Sequence, residues 1–537
     1  IPPIGRTAVT QVGFRREPRQ AVTQAKQKLT VKLRLRAAGL KHYYERELEL
    51  ESVGPDTPYR RTRVSTADGS CQFYGVLPPS NLDPKQTYGL ALSLHGAGVN
   101  AYNQAKSYSQ KDWAYIVAPT NRRRFGFDWE LWGRLDALEA LDHASQTFNI
   151  DPTRVHVTGH SMGGHGTWHL GVTTPGRFGV IAPSAGWSSF YSYGGSARPS
   201  GAFARSQAHS DTNVYLSNLA RRSIYILHGG ADNNVPTSEG QAMYKEAKKH
   251  CKDVTYHEKP GKGHWWDDSY AKGVDCVDWP AIFAKMKATT VDPTELEFDF
   301  KTPSPWYSPT HSYVTIRSQT DPGKDSTLSS KASGATVTLT TTNVRSMTLD
   351  GTALTAKGIT TAVVDGTSVN VTSGEIAVGP QGGKRHDLMG PFNQTMHRPF
   401  CLVYADSGAA APRFREIASY LVSSWAVIGN GHACSMPLSR FKAAPPKERN
   451  IIFLGVPPAD VDKATLPFSW SASSIQLGQD SYSAGALVFV VPRDGRPAGV
   501  MYATPGSEHL LLRVPPFSSR FVFPYYMLWS SKGLHAA

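Results

Sequence analysis

The chain has 537 residues, 40% of them hydrophobic and 10% aromatic, without internal repeats or low-complexity runs, which excludes a disordered or fibrous protein. One hydrophobic core stops growing at roughly 250–300 residues, so two or three domains are expected. The formal net charge is +14, and residues 1–63 hold 14 Lys and Arg against 6 Asp and Glu, yet no zinc-knuckle spacing or aromatic RNA-binding signature accompanies this charge, so no nucleic-acid partner is expected.

In chain order, residues 1–60 form a basic segment. Within it Leu29, Val31, Leu33 and Leu35 alternate with polar residues, the pattern of a half-buried strand. Its basic residues read as a solvated face, or as part of a strand that pairs outside this chain. The sequence starts at Ile1 rather than Met and reads as a mature form or a piece of a longer chain.

Residues 61–290 alternate strands and helices. Strands are predicted at Gln72–Leu77, Gly89–Leu94, Ala114–Ala118, Arg154–Thr158, Gly179–Ala182, Ser223–Leu227 and Val254–His257. Helices are predicted at Leu131–Phe148, Gly164–Thr173 and Ser238–Lys249. Such alternation implies a mostly parallel sheet covered on both faces, with chemistry at the carboxyl ends of its strands. Residues 291–385, rich in Thr, Ser, Val and Gly, read as a small β-rich domain. Residues 386–537 read as a second, smaller α/β unit, with strands at Phe400–Tyr404, Ile451–Leu454 and Leu487–Val491 and a helix at Arg413–Val422. The longest strongly apolar run, Ala486–Pro492, is far short of the roughly 20 residues of a membrane-spanning helix, so no membrane span is expected.

None of the five cysteines forms a CxxC pair, which argues against a structural zinc site. Cys251–Cys276 and Cys401–Cys434 are possible disulfides, and sequence alone leaves the pairing open. Asn370 and Asn393 fit the N-glycosylation pattern.

The strongest chemical signal is Gly159-His160-Ser161-Met162-Gly163-Gly164, a GxSxG turn between a predicted strand and a predicted helix. Such a turn lifts the serine hydroxyl out of the sheet onto a helix N-terminus, where the dipole favours developing negative charge. Side chains at the flanking glycines would collide with neighbouring backbone. His95-Gly96-Ala97-Gly98 follows an earlier predicted strand and has the form of an oxyanion loop, so the N–H groups of Met162 and Ala97 are the expected oxyanion donors. His95 itself is read as a buttress of that loop. Asp232 and His264 follow two later strands, in the order Ser, Asp, His that this arrangement uses. Ser161 is therefore the expected nucleophile, His264 its general base and Asp232 the residue that orients the histidine. His160, His165 and His169 are read as packing residues, and His257 lies within a strand.

These segments, together with Asn149-Ile150-Asp151-Pro152-Thr153-Arg154-Val155, resemble the prolyl-oligopeptidase-type (S9-like) catalytic domain of the α/β-hydrolase fold. Within that group they look closest to esterase-like members similar to polyhydroxybutyrate depolymerases and feruloyl esterases. The resemblance covers under half of the chain. It implies hydrolysis through an acyl-enzyme without metal or cofactor, on a small-molecule or polymer ester, and a secreted protein. Prolyl oligopeptidases place a β-propeller before the hydrolase domain. Only about 60 residues precede it in this sequence, so unless a large piece was removed upstream the propeller is missing and oligopeptidase activity is not expected.

Trp129, Trp187 and Trp265 fall near strand ends and are candidate substrate-binding residues; ordinary packing under a loop is the competing reading. An insertion between Trp187 and Arg222, with Phe190, Tyr191 and Tyr193, has the composition of a lid or pocket wall. Arg122-Arg123-Arg124 reads as a solvated loop. A third reading, from a different class, is a carbohydrate- or partner-binding protein that keeps the hydrolase domain as scaffold. If residues 291–537 serve binding alone, hydrolysis of a small ester should survive their deletion.

Overall fold

The structure, a computed structural model, describes residues 28–35, 44–51, 53–54, 57–269, 271–382, 385–388, 390–457, 460–461, 466–471, 473–513 and 516–537. Ten strands open the chain: β1 (Lys28–Leu35), β2 (Tyr44–Glu51), β3 (Tyr59–Val64), β4 (Cys71–Leu77), β5 (Tyr88–Leu94), β6 (Ala114–Ala118), β7 (Ile150–His160), β8 (Val180–Ser184), β9 (Ser223–Gly229) and β10 (Asp253–Lys259). Helices α1 (Ala101–Lys106), α2 (Trp132–Thr147), α3 (Met162–Thr173), α4 (Gly201–Ser206), α5 (Thr237–Ala247) and α6 (Pro280–Ala288) alternate with them.

Strands β3 to β10 form one sheet in the order β10-β9-β8-β7-β5-β6-β4-β3. All neighbours pair in parallel except β4, which is antiparallel to both β3 and β6. This is the α/β-hydrolase order. Strands β5 and β6 are buried at every residue, as expected for strands covered on both faces by helices. Strand β3 escaped the hydrophobic pattern because its inward residue is ionic. Arg63 is buried and pairs with Asp136, at 2.5 Å, and with Glu139, both on α2.

Strand β1 pairs antiparallel with β2 of the same chain. Lys28, Lys32 and Arg34 form ion pairs with Glu49, Glu47 and Glu45, so this part of the basic segment is neutralised locally. The expected apolar face is described at Val31, which is half-buried opposite Leu48; the Leu29, Leu33 and Leu35 side chains and residues 1–27 lie outside the described residues.

Residues 298–378 carry a five-stranded and a four-stranded sheet around a common apolar core. Beyond them a seven-stranded sheet begins with four parallel strands, Cys434–Pro437, Phe400–Tyr404, Asn450–Leu454 and Arg496–Ala503, and continues antiparallel. Helix Ala411–Gly429 packs on it through Phe414, Ile417, Leu421 and Trp425. Cys401 and Cys434, paired across adjacent strands, form a disulfide. Cys251 and Cys276 are both buried free thiols, so the second possible bridge is not made. The C-terminal core does not stop at the hydrolase sheet. Phe127, Leu131 and Trp132 at the start of α2 belong to the same apolar cluster as Phe400, Trp425 and Trp529.

Candidate active site

Strand β7 lies at the centre of the sheet and ends at Ser161, whose backbone takes φ 60° and ψ −120° before α3 begins at Met162. A positive φ is strained for a residue with a Cβ and persists only where the surroundings hold it. Here the Ser161 N–H donates to Ser184 O at 2.9 Å, and Ser161 O accepts from His165 N–H at 3.1 Å. The glycines around it are demanded by close approach. A Cβ on Gly163 would lie 1.9 Å from Leu94 O, one on Gly159 2.4 Å from Gly163 O, and one on Gly164 2.5 Å from Ser184 O. The turn is thus wedged between the ends of β5 and β8. That leaves Ser161 half-exposed at the N-terminus of a twelve-residue helix, whose first N–H groups lack intrahelical acceptors.

The loop after β5 runs over this turn. A Cβ on Gly96 would come within 3.5 Å of the Ser161 Cβ. His95 is fully buried, with its ring nitrogens 2.9 Å from Gly96 O and Thr120 O, so it braces the loop from behind. Gly98 N–H donates to Arg124 O and Val99 N–H to Gly96 O, which sets the turn around exposed Ala97.

Asp232 and His264 meet from the loops after β9 and β10. His264 Nδ1 lies 2.8 Å from Asp232 Oδ2, and the Asp232 side chain is fully buried. Its other oxygen accepts from Asn234 and Val235 N–H at 2.9 and 3.0 Å. His228 Nε2, which donates to Val235 O, stands 3.4 Å from Asp232 Oδ2. Burial alone raises the pKa of this carboxyl group, but hydrogen bonds from His228, His264 and Asn234 outweigh burial and hold it well below the usual range. An ionised Asp232 accepting the Nδ1 proton leaves Nε2 of His264 as the free base. The His160 ring lies 4.8 Å from that of His264, with Nδ1 3.0 Å from Ser184 Oγ; burial pushes its pKa down to about 3, so it stays neutral.

The tryptophans divide. Trp265 is 52% exposed and stands edge-on to His160. Trp129 is fully buried and its indole N–H donates to His95 O at 3.0 Å; it supports the His95–Gly98 loop and is not placed to meet substrate. Trp187 is buried between His165 and Tyr193, which stack on it at 5.3 and 4.3 Å. Both positions are corrected to packing, because a strand-end location does not tell a ring turned under a loop from one turned outward. The insertion after Trp187 is a packed bridge: Arg205 on α4 bonds Pro322 O, Lys324 O and Asp325 of the β-rich part. His165 and His169 are buried against Glu130 and Tyr307, as packing residues. Asn393 is also corrected. It is fully buried with Oδ1 accepting from Phe523 N–H, and no glycan can reach it in the folded chain; Asn370 is exposed.

Arg122 is not solvated either. It is fully buried, 3.0 Å from Asp68, and its guanidinium lies over the Trp425 ring. This clamp, His228 and exposed Phe125 are the site's neighbours that sequence reasoning missed. Only His228 left a trace, four positions before Asp232 and one turn-loop away. A cavity of about 840 Å³ lies beside helix Ala411–Gly429, and Ser161, Asp232 and His264 are not among the residues that line it.

Residues 121–279 match the model of the prolyl oligopeptidase family. An uncharacterized secreted protein of Arthroderma benhamiae is 26% identical over 37% of this chain and 24% of its own length. The uncharacterized peptidase YuxL of Bacillus subtilis is 25% identical over 38% of this chain and 35% of its own length. The chain thus spans about a quarter to a third of the length of these relatives. A solved thermostable esterase aligns over 49% of this chain and 72% of its own, with 16% identity and a TM-score of 0.33.

Proposed function

We propose, from the premise that residues 121–279 form part of an S9-like α/β-hydrolase, that the chain is a serine hydrolase that cleaves carboxylic esters through an acyl-enzyme. Ser161 Oγ attacks the ester carbonyl while His264 Nε2 takes its proton. The oxyanion forms at the Met162 and Ala97 N–H groups. His264 then returns the proton to the departing alcohol, and a water molecule releases the acid by the same route. The observation that carries this reading is the buried Asp232, 2.8 Å from His264, on the sheet edge where the Ser161 turn emerges.

An ester is favoured over a peptide because a peptidase that holds a free amine needs an available carboxylate. Glu130, buried under the insertion, is committed to His165 and Ser210. The peptidase reading draws on the name of the Bacillus subtilis relative. Residues 61–290 are the catalytic part in this proposal, 291–385 and 386–537 its β-rich and α/β companions. Secretion is supported by the Cys401–Cys434 disulfide and the name of the Arthroderma benhamiae relative, with Asn370 the remaining glycosylation candidate. Among the described residues no helix is long and apolar enough to cross a membrane.

Turnover of p-nitrophenyl esters and aminoacyl-p-nitroanilides by wild type and Ser161→Ala tests the reading. Ester cleavage that vanishes in the variant is expected. Preferential anilide cleavage establishes the peptidase instead. Failure of both, with no fluorophosphonate labelling of Ser161, leaves the scaffold reading.

A further inference from the structure

Two exposed aromatic rings stand on different loops next to residues of the candidate site. Phe125 is 69% exposed, and its Cζ lies 3.6 Å from the point a Cβ on Gly98 would occupy, against the oxyanion loop. The backbone fixes it there, since Arg124 O accepts the Gly98 N–H at 3.1 Å. Trp265 is 52% exposed, follows His264 directly, and meets the ring of His160 edge-on at 5.4 Å. Each ring keeps more than half of its surface in solvent, Phe125 beside the His95–Gly98 loop and Trp265 beside His264.

We propose that Phe125 and Trp265 form a two-sided aromatic cleft that divides the substrate, Phe125 contacting the acyl part and Trp265 the alcohol part, and that the enzyme accordingly takes esters with a bulky apolar or aromatic group on each side of the bond. The division follows from the chemistry and rests on the ester-hydrolase reading. His264 must deliver its proton to the leaving oxygen, so the alcohol departs along the loop that carries Trp265. The carbonyl oxygen must point at Met162 and Ala97 N–H, so the acyl substituent runs along the oxyanion loop, against which Phe125 lies. An apolar ring on either side of the ester gains stacking and dispersion contact with the corresponding residue. Both rings are solvent-facing, so the groups they hold extend out of the site, as the flanks of a larger molecule do.

The test is a set of four esters: acetyl or 3-phenylpropanoyl as acyl group, each joined to ethanol or benzyl alcohol, whose leaving abilities are similar. Two ratios of kcat/KM are read within each variant, benzyl over ethyl and phenylpropanoyl over acetyl, so partial misfolding, which lowers all four rates together, cancels. Wild type should prefer the ring on both sides. Trp265→Ala should reduce the benzyl preference by about tenfold and leave the acyl preference, Phe125→Ala should do the reverse, and Trp265→Phe should keep most of the benzyl preference. Ratios that do not move, or that move together in both variants, overturn the division. If wild type cleaves none of the four and fluorophosphonate does not label Ser161, the hydrolase reading itself has failed, and the cleft with it.

Discussion

Asp68, just before β4, accepts a hydrogen bond from the indole N–H of Trp425 across 357 residues of chain, at 2.9 Å. The same carboxylate takes Arg122, Ser70 and the His432 N–H, and neither it nor Arg122 is exposed to solvent. From Arg122 the connection passes into the loop between β6 and α2. Asn121, Arg122, Asp128, Trp129 and Leu131 in that loop all have positive φ, a conformation kept only under external restraint. The loop also holds the His95–Gly98 turn through Arg124 O and the Trp129 indole. Helix Ala411–Gly429 and the His95–Gly98 turn are thus linked through one restrained segment.

Asp68→Ala is expected to cost about 3–5 kcal/mol of stability, because it strands the buried Arg122 charge. Denaturant unfolding measures it. The double variant with Arg122→Met should recover part of the loss, whereas equal loss in both would deny that the pair is coupled.

Deletion of residues 291–537 is expected to give an insoluble or molten product, since Phe127, Leu131 and Trp132 lose their packing partners. Expression of 1–290 followed by near-UV circular dichroism is the check. A soluble, cooperatively folding product that hydrolyses a small ester would show the C-terminal part to be dispensable after all.

Gly163→Ala should abolish ester turnover and destabilise the fold, since its Cβ would fall 1.9 Å from Leu94 O and push the nucleophile turn off β5. Turnover within tenfold of wild type would contradict the wedge between β5 and β8.

Asp232→Asn keeps the 2.8 Å contact but removes the acceptor that selects the His264 tautomer. A fall in kcat of about 10⁴ is expected with little change in melting temperature. A fall of less than tenfold would remove Asp232 from the catalytic machinery.

Stability should decline steeply below about pH 6.5. Burial pushes His156, His160, His209 and His397 down to about 3. Unfolded, each takes a proton near its ordinary value of about 6.5, so the unfolded state binds more protons between the two values and stability there rises with pH. Going from pH 7 to 5 costs about 2 kcal/mol per histidine, and four together rival the whole stability of a domain. Asp68 acts in a lower window. Burial opposes its ionisation, but Arg122 and the hydrogen bonds hold its carboxyl below the usual range, so its contribution is complete above about pH 4 and is lost only as pH falls further. A melting temperature that stays level from pH 7 to 5 would refute the histidine account.

The Ser161 turn and the strand-end positions of Asp232 and His264 could be read in the sequence because each depends on local chain: a glycine-flanked serine between strand and helix, and a polar residue just past a strand. The parallel strands were legible for the same reason, being short apolar runs bounded by turns. Features set by distant contacts were not. The direction of the Trp129 and Trp187 rings, the burial of Asn393 and the ionic inner face of β3 depend on partners that pattern alone does not reveal. Arg122 looks like one of three loop arginines until Asp68 and Trp425 are seen around it.

The apolar cluster shared by Trp132, Phe400 and Trp529 also sets the timing of assembly. A ribosome delivers Trp132 hundreds of residues before Trp529, and until the latter emerges the start of α2 lacks a lid. The packing around the loop that holds the His95–Gly98 turn thus draws on residues made early and residues made late. A chain that stops before Trp529 carries the Ser161 turn without the apolar packing that closes over the start of α2.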